Sequence, residues 1–203
     1  MNKITVVMGE YPQNCGLEKE PIEWIVLKEE KNRCLCISKY LLDTKPYHNL
    51  SENVTWKDCT LRNWLNHEFL TTAFSEEERE KILLSDVANP AQNTQDYIFL
   101  LSYDEAEEYF DDEVEDYVAY EKRGAYTTDY ARKQGAWFLE DDCEEKNKGC
   151  WWLRYYGEEY ENAEGKYPYI SCVNFDGYIE CAAQDVSDAD CCIRPAFWKK
   201  TIR

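Results

Sequence analysis

The residues that could carry chemistry are ten cysteines, two histidines and a large excess of carboxylates, 41 Asp and Glu against 23 Lys and Arg. Cysteine at that density suits a disulfide framework in a small secreted chain, a thiolate metal site where the spacing allows one, or free thiols in a core. The spacing favours free structural thiols over disulfides or zinc. There is no Cys-x-x-Cys pair, only Cys34-x-Cys36 and the adjacent Cys191-Cys192, and both His48 and His67 lie far from either. Neither histidine stands beside a matched Ser or Cys, and neither a P-loop nor a dinucleotide fingerprint is present. Carboxylates are too numerous for any one pair to stand out as general acid and base. Asp111-Asp112-Glu113 lacks the ligand spacing of a calcium loop, and the stretch from Asp104 to Glu121, free of Lys and Arg, reads as a solvated face. No catalytic residue, metal or cofactor is therefore assigned, and the chain reads more as a binder than as an enzyme.

Two other residue types are placed suggestively. Arg62, Arg154 and Arg194 sit inside apolar motifs, where Arg is rare unless paired. The plain reading is that each bonds a carboxylate or backbone carbonyls and fixes the loop that follows. The sharper one is that Arg154 or Arg194 clamps an anionic ligand. Between Gly149 and Trp198, apolar runs (Cys150–Leu153, Tyr169–Val173, Cys192–Trp198) alternate with segments rich in Tyr, Asn, Asp and Glu. Trp151, Trp152, Leu153, Arg154, Arg194, Pro195 and Trp198 read as a buried framework. The segments between read as display, since exposed Tyr with Asn and Asp offers rigid area and adaptable hydrogen bonds; a merely Tyr-rich surface gives the same pattern. The candidate ligand-binding residues are Tyr155, Tyr156, Glu158, Tyr160, Asn162, Asn174, Phe175, Asp176, Tyr178, Asp188, Asp190 and Cys191, in loops 155–162, 174–178 and 185–191.

The elements that must position them follow from periodicity. At 203 residues the chain can bury a substantial core. A strand is expected over Ile4–Met8, ending at Gly9. A hairpin is expected from Pro21–Leu27 and Cys34–Ser38, with Ile22, Trp24 and Val26 on one side. Leu61, Trp64, Leu65 and Phe69 recur at helical spacing, predicting a helix over Trp56–Phe74 capped by Asp58 or Thr60. Ser75-x-x-Glu78 and Ser102-x-x-Glu105 are capping boxes. Ile82–Val87 and Tyr97–Leu101 read as strands, and Thr127–Asp129 opens a short helix that Gly135 closes. The fold class is α+β in a single domain over 1–203, with short antiparallel strands at both ends and helices in the middle. The net charge of −18 repels nucleic-acid phosphates and suits a basic partner. Ile4–Met8 is too short for a secretory or membrane-spanning segment, so a soluble, cytoplasmic protein with no membrane partner is expected.

Several motifs carry a resemblance: Tyr11-Pro12-Gln13, Ile22-Glu23-Trp24-x-Val26-Leu27, Leu61-Arg62-x-Trp64-Leu65-Asn66, Ala73-Phe74-Ser75-x-x-Glu78, Phe99-Leu100-Leu101-Ser102, Trp151-Trp152-Leu153-Arg154 and Arg194-Pro195-Ala196-x-Trp198. In this order the chain resembles a widespread bacterial domain of unknown function with a C-type lectin-like architecture. The resemblance implies a fold shared with formylglycine-generating enzyme and with retroelement-diversified variable proteins, in which C-terminal strands and loops face the ligand. An oxidoreductase reading would need a closely spaced thiolate pair able to bind copper. Cys172 and Cys181 are nine apart and Cys191-Cys192 are adjacent, so neither pair fits. Members of the family it resembles usually carry Ser-Pro-Gly where this chain has Tyr155-Tyr156-Gly157, and Gly-Val where it has Cys191-Cys192-Ile193. Those departures fit either diversification or drift. The expected function is a non-enzymatic module binding a protein or a glycan. The alternatives are an oxidoreductase of the formylglycine-generating type and an acidic protein that binds a basic partner.

Overall fold

The computed structural model describes residues 4–51, 53–110, 122–141, 143–155, 159–162, 165–168, 170–181 and 185–201. The first part of the chain forms β1 (Thr5–Pro12), β2 (Lys19–Glu29), β3 (Arg33–Ser38) and β4 (Asp43–Thr44), with β5 (Ser85–Val87) and β6 (Thr94–Asp96) after the first helices. The later part forms β7 (Ala125–Tyr126), β8 (Lys148–Gly149), β9 (Trp151–Trp152), β10 (Glu159–Asn162), β11 (Gly165–Pro168), β12 (Ser171–Val173), β13 (Ile179–Cys181), β14 (Cys192–Ile193) and β15 (Ala196–Lys200). Two sheets organise the chain. One has the order β1-β2-β3-β15, so the last strand returns to pair with the third. The other has the order β13-β12-β9-β14-β4 and holds the C-terminal motifs. The architecture is α+β.

The expected hairpin is present, β2 against β3 with Ile25 opposite Ile37. Trp24 is fully buried, donates Nε1–H to the Met8 carbonyl at 2.7 Å and packs on Phe74 and Phe197. The first strand does not end at Gly9. It continues to Pro12 through a register shift between Val7 and Glu10. Gly9 takes φ +73, a conformation open to glycine, and its N–H turns away to Glu78 Oε1 at 2.8 Å.

The main helix begins at Thr60 rather than Trp56, because the cap is Cys59. Its thiol accepts from Arg62 N–H at 3.3 Å, while Asp58 accepts from Thr55 Oγ at 3.2 Å instead. The helix runs α over Thr60–Trp64, π over Leu65–Phe69 and α again over Leu70–Ala73. The wider turn shifts the face, so that Leu61, Leu65 and Phe69 are followed into the core by Leu70 and Ala73. Ser75 and Glu78 close the predicted capping box ahead of the Glu76–Arg79 helix. Ser102 and Glu105 exchange the same pair of bonds ahead of the Tyr103–Phe110 helix. Thr128 caps Asp129–Gln134, and Gly135 ends it at φ +109. Tyr97–Leu101 is not a strand. Ile98–Leu101 are buried, and only Phe99 makes a β-bridge, to Ala196.

Candidate functional site

The framework beneath the C-terminal loops is held by buried cations that bond mostly to carbonyls. Arg154 donates to the Leu100 and Ala88 carbonyls, to Asn89 Oδ1 and to Glu105 Oε2, the last at 2.8 Å. Arg194 lies over the Trp151 ring, its carbon 5.0 Å from the centroid, and donates to the carbonyls of Ser38 and Arg123. Burial lowers the Arg194 pKa to about 9, which leaves it charged at neutral pH. Arg62 reaches the buried carboxylate of Asp96 at 2.6 Å. The plain reading of all three arginines holds: they fix backbone and neighbours. Trp151, Trp152, Leu153, Arg154, Arg194 and Pro195 are buried, and Trp198 is half-buried beneath the guanidinium of Arg33.

A missed arginine carries this framework to the surface. Arg123 is buried and donates Nε–H to the Gly177 carbonyl at 3.0 Å, while its own carbonyl receives Trp151 Nε1–H and Arg194 Nη1–H. Gly177 closes the turn that joins β12 to β13. Its N–H returns to the Asn174 carbonyl, and Asp176 Oδ1 accepts from Tyr178 N–H at 2.9 Å. On this turn Asp176 is exposed, Tyr178 is 50% exposed, and Asn174 and Phe175 are half-buried.

Phe175 lies against Trp137, ring centroids 5.8 Å apart and tilted by 44°. Trp137 follows the helix-closing Gly135, stays 43% exposed, and donates its backbone N–H to the Asp190 carbonyl at 2.8 Å. Around it is an open recess of about 490 Å³ lined by residues 135–141 and Asp190. Asp190 Oδ1 is shut off from solvent and has no hydrogen-bond partner among the described residues. The loop that carries it is tied down along its length. Thr44 Oγ donates to the carbonyls of Ala189 and Cys191, His48 N–H donates to Val186 O, and Ser51 Oγ donates to Asp185. Hydrogen bonds from Ser51 and Ser187 hold the Asp185 carboxyl below the usual carboxylate range.

The structure thus gathers Phe175 and Asp190 at one recess, with Asn174, Asp176 and Tyr178 on the adjoining turn and Asp188 exposed on the tied loop. Two predicted residues are not on a surface. Tyr155 is buried, packed beside the Arg154 guanidinium, with its carbonyl accepting from Tyr103 N–H; Arg154 draws the ring inward. Cys191 is 0% exposed. Strand register puts it on the same face as Cys150 and Cys172, and burial, followed by those two thiols, pushes its pKa well up. Tyr156 and Glu158 lie outside the described residues. Tyr160 and Asn162 stand on β10, opposite Tyr167 and Gly165 of β11. Trp137 and Phe138 were missed, although two aromatics just after a helix-ending glycine and alanine were a legible signal.

The histidines bond to the main helix and its flank. His48 Nδ1 accepts from Thr60 N–H at 3.3 Å, and His67 Nδ1 lies 2.8 Å from the Asn63 carbonyl. None of the cysteines with described side chains is in a disulfide, and Cys34 and Cys36 Sγ lie 3.7 Å apart. Among the described residues no group of three or more His, Cys, Asp or Glu could hold a metal ion, and no helix is long and apolar enough to cross a membrane.

Fold and site together define an α+β domain that presents an aromatic and acidic loop face on a carbonyl-bonded arginine framework. The chain belongs to the family described as Domain of unknown function (DUF6273), which matches residues 31–201. No curated protein and no solved structure matches it.

Proposed function

We propose that the chain is a non-enzymatic binding module of C-type lectin-like architecture, whose C-terminal loops recognise a protein or glycan partner. The observation that carries this reading is the recess at Trp137, where an exposed indole leans on Phe175 beside Asp190, one of whose carboxylate oxygens has no hydrogen-bond partner among the described residues. A large aromatic left in water gains on being covered. An aromatic side chain buries about 150–250 Å², and covering the exposed 43% of Trp137 returns about 2 kcal/mol at ~25 cal/mol per Å². The rigid support also favours binding, because loops already tied to Thr44, Arg123 and Trp137 lose less freedom on engagement.

The return of β15 to the N-terminal sheet, with the loops hung on a second sheet, is consistent with the C-type lectin-like reading. The burial of Cys191 and Cys192, whose pKa values are pushed up, runs against the oxidoreductase alternative, since a reactive site needs an accessible thiolate. If retroelement diversification acts on this family, Asn174, Phe175, Asp176 and Tyr178 are where variation would alter recognition without disturbing the core. The test is a panel of oligosaccharides and peptides offered to the immobilised protein and to its Trp137→Ala and Tyr178→Ala variants. Binding that both variants lose supports the reading. Binding that neither alters removes the loop face from consideration.

A further inference from the structure

We infer that the Trp137 recess takes an arginine side chain of a basic polypeptide; this rests on reading the face as a binding surface and adds the chemistry of its ligand. The wall is aromatic, formed by Trp137 and Phe138 with Phe175 against the indole. The acidic residues that line it are Glu140, Asp141 and Asp190, and among the described residues none of the three has an ion-pair partner. A cation that lies against the wall is already committed. Arg132 lies over the Phe138 ring but bonds Asp129 and both oxygens of Thr127.

Asp190 is the distinguishing group. Its charge is shared over both oxygens, and among the described residues no donor reaches the enclosed one, so the cost of holding that charge falls when a cation arrives from the recess side. A net charge of −18 draws basic chains toward the surface before contact. Arginine fits better than lysine: a flat guanidinium stacks on an indole while its edge meets a carboxylate, whereas an ammonium is a compact, strongly hydrated point charge. The chain uses that pairing within itself, Arg33 lying 4.0 Å over the Trp198 ring while bonded to Glu30. A neutral glycan would cover the indole but leave the three carboxylates uncompensated.

The experiment is fluorescence anisotropy with a labelled short peptide of alternating glycine and arginine. Its lysine and citrulline counterparts and neutral oligosaccharides serve as comparison ligands, at low and high salt. The arginine peptide is expected to bind at least about tenfold more tightly than the citrulline peptide and more tightly than the lysine one, weakening as salt rises. Trp137→Ala and Asp190→Asn should each weaken it about tenfold, Trp137→Phe less, and the remote charge control Glu29→Gln not at all; circular dichroism checks that each variant is folded. Equal binding of arginine and citrulline peptides, or losses no larger than that of Glu29→Gln, overturns the assignment. Oligosaccharide binding that depends on Trp137, without peptide binding, overturns the arginine assignment and leaves the binding-face reading standing. Binding of neither class overturns the arginine assignment and counts against the face as well.

Discussion

Replacing Gly9 with alanine tests the joint on which the N-terminal sheet meets the helical layer. A Cβ built on Gly9 would sit 2.7 Å from the Ala73 carbonyl oxygen and 2.7 and 2.8 Å from two carbons of the Phe74 ring. Two of those atoms belong to a buried aromatic and one to backbone, so none can swing away. The residue also holds φ +73, which costs a non-glycine residue about 1–2 kcal/mol. Overpacking a filled site adds about 1–3 kcal/mol. Together these predict a loss of roughly 2–5 kcal/mol, a large part of the ~5–15 kcal/mol that holds a typical domain folded. In urea, with a slope of ~2–3 kcal/mol per M for a chain of this size, the midpoint should fall by about 1–2 M with the slope unchanged. A shift below ~0.3 M would refute the account, since it would mean that β1 and the Ala73–Phe74 corner can separate freely. The same substitution made with Phe74→Leu should cost less, because two of the three clashes are with that ring.

Two further perturbations follow from buried and capped carboxylates. Asp96 is fully buried and accepts from Arg62 Nε, Thr94 Oγ and Trp56 Nε1, so Asp96→Asn should destabilise by about 2–3 kcal/mol, read as a lower thermal midpoint; a near-neutral result would mean that Arg62 finds another acceptor. For Glu78, burial pushes the carboxyl pKa up, but hydrogen bonds from Gly9 N–H, Ser75 N–H and Ser75 Oγ outweigh it and leave the folded pKa below its ordinary 4.5. A depressed folded pKa stabilises above the unfolded value, and that contribution is lost as pH falls below 4.5 through the folded value. The stability gap between the wild type and Glu78→Gln should therefore narrow on acidification from neutral pH, and a pH-independent gap would contradict this.

Local signals in the sequence were legible where one residue decides the structure. The Ser75/Glu78 and Ser102/Glu105 boxes, the Thr128 cap and the Gly135 stop stand where their chemistry places them. The β2–β3 hairpin follows its alternation, and the buried framework from Trp151 to Arg154 follows its apolar runs. What failed was decided by partners distant in sequence. Gly9 reads as a stop, yet the strand continues because Glu78, 69 residues on, accepts the N–H that the bulge turns out. Asp58 and Thr60 are the expected caps by residue type, but the cap is a cysteine thiol. Tyr155 and Cys191 looked displayed because polar residues surround them in sequence, whereas in space Arg154 and the Cys150 and Cys172 thiols surround them. Trp137 escaped notice because its partners, Phe175 and Asp190, lie on later loops.

The manner in which the framework is satisfied explains why the surface stays acidic. An arginine buried against a carboxylate cancels a negative charge inside the protein. Here Arg194 and Arg123 spend their described hydrogen bonds on the carbonyls of Ser38, Arg123 and Gly177, and Arg154 spends two of its four on Leu100 and Ala88 and one on Glu105. Those carbonyls belong to segments that must otherwise find backbone donors, so the cations do the work of missing N–H groups and order irregular chain. Glu140, Asp141, Asp176 and Asp188 meanwhile remain outside, exposed and close in sequence to the exposed Trp137 or Tyr178 or to Asp190. Loops ordered by carbonyl-bonded arginine, as at Arg194, leave the carboxylates of the loop face available, and a ligand carrying its own guanidinium pairs with them from outside.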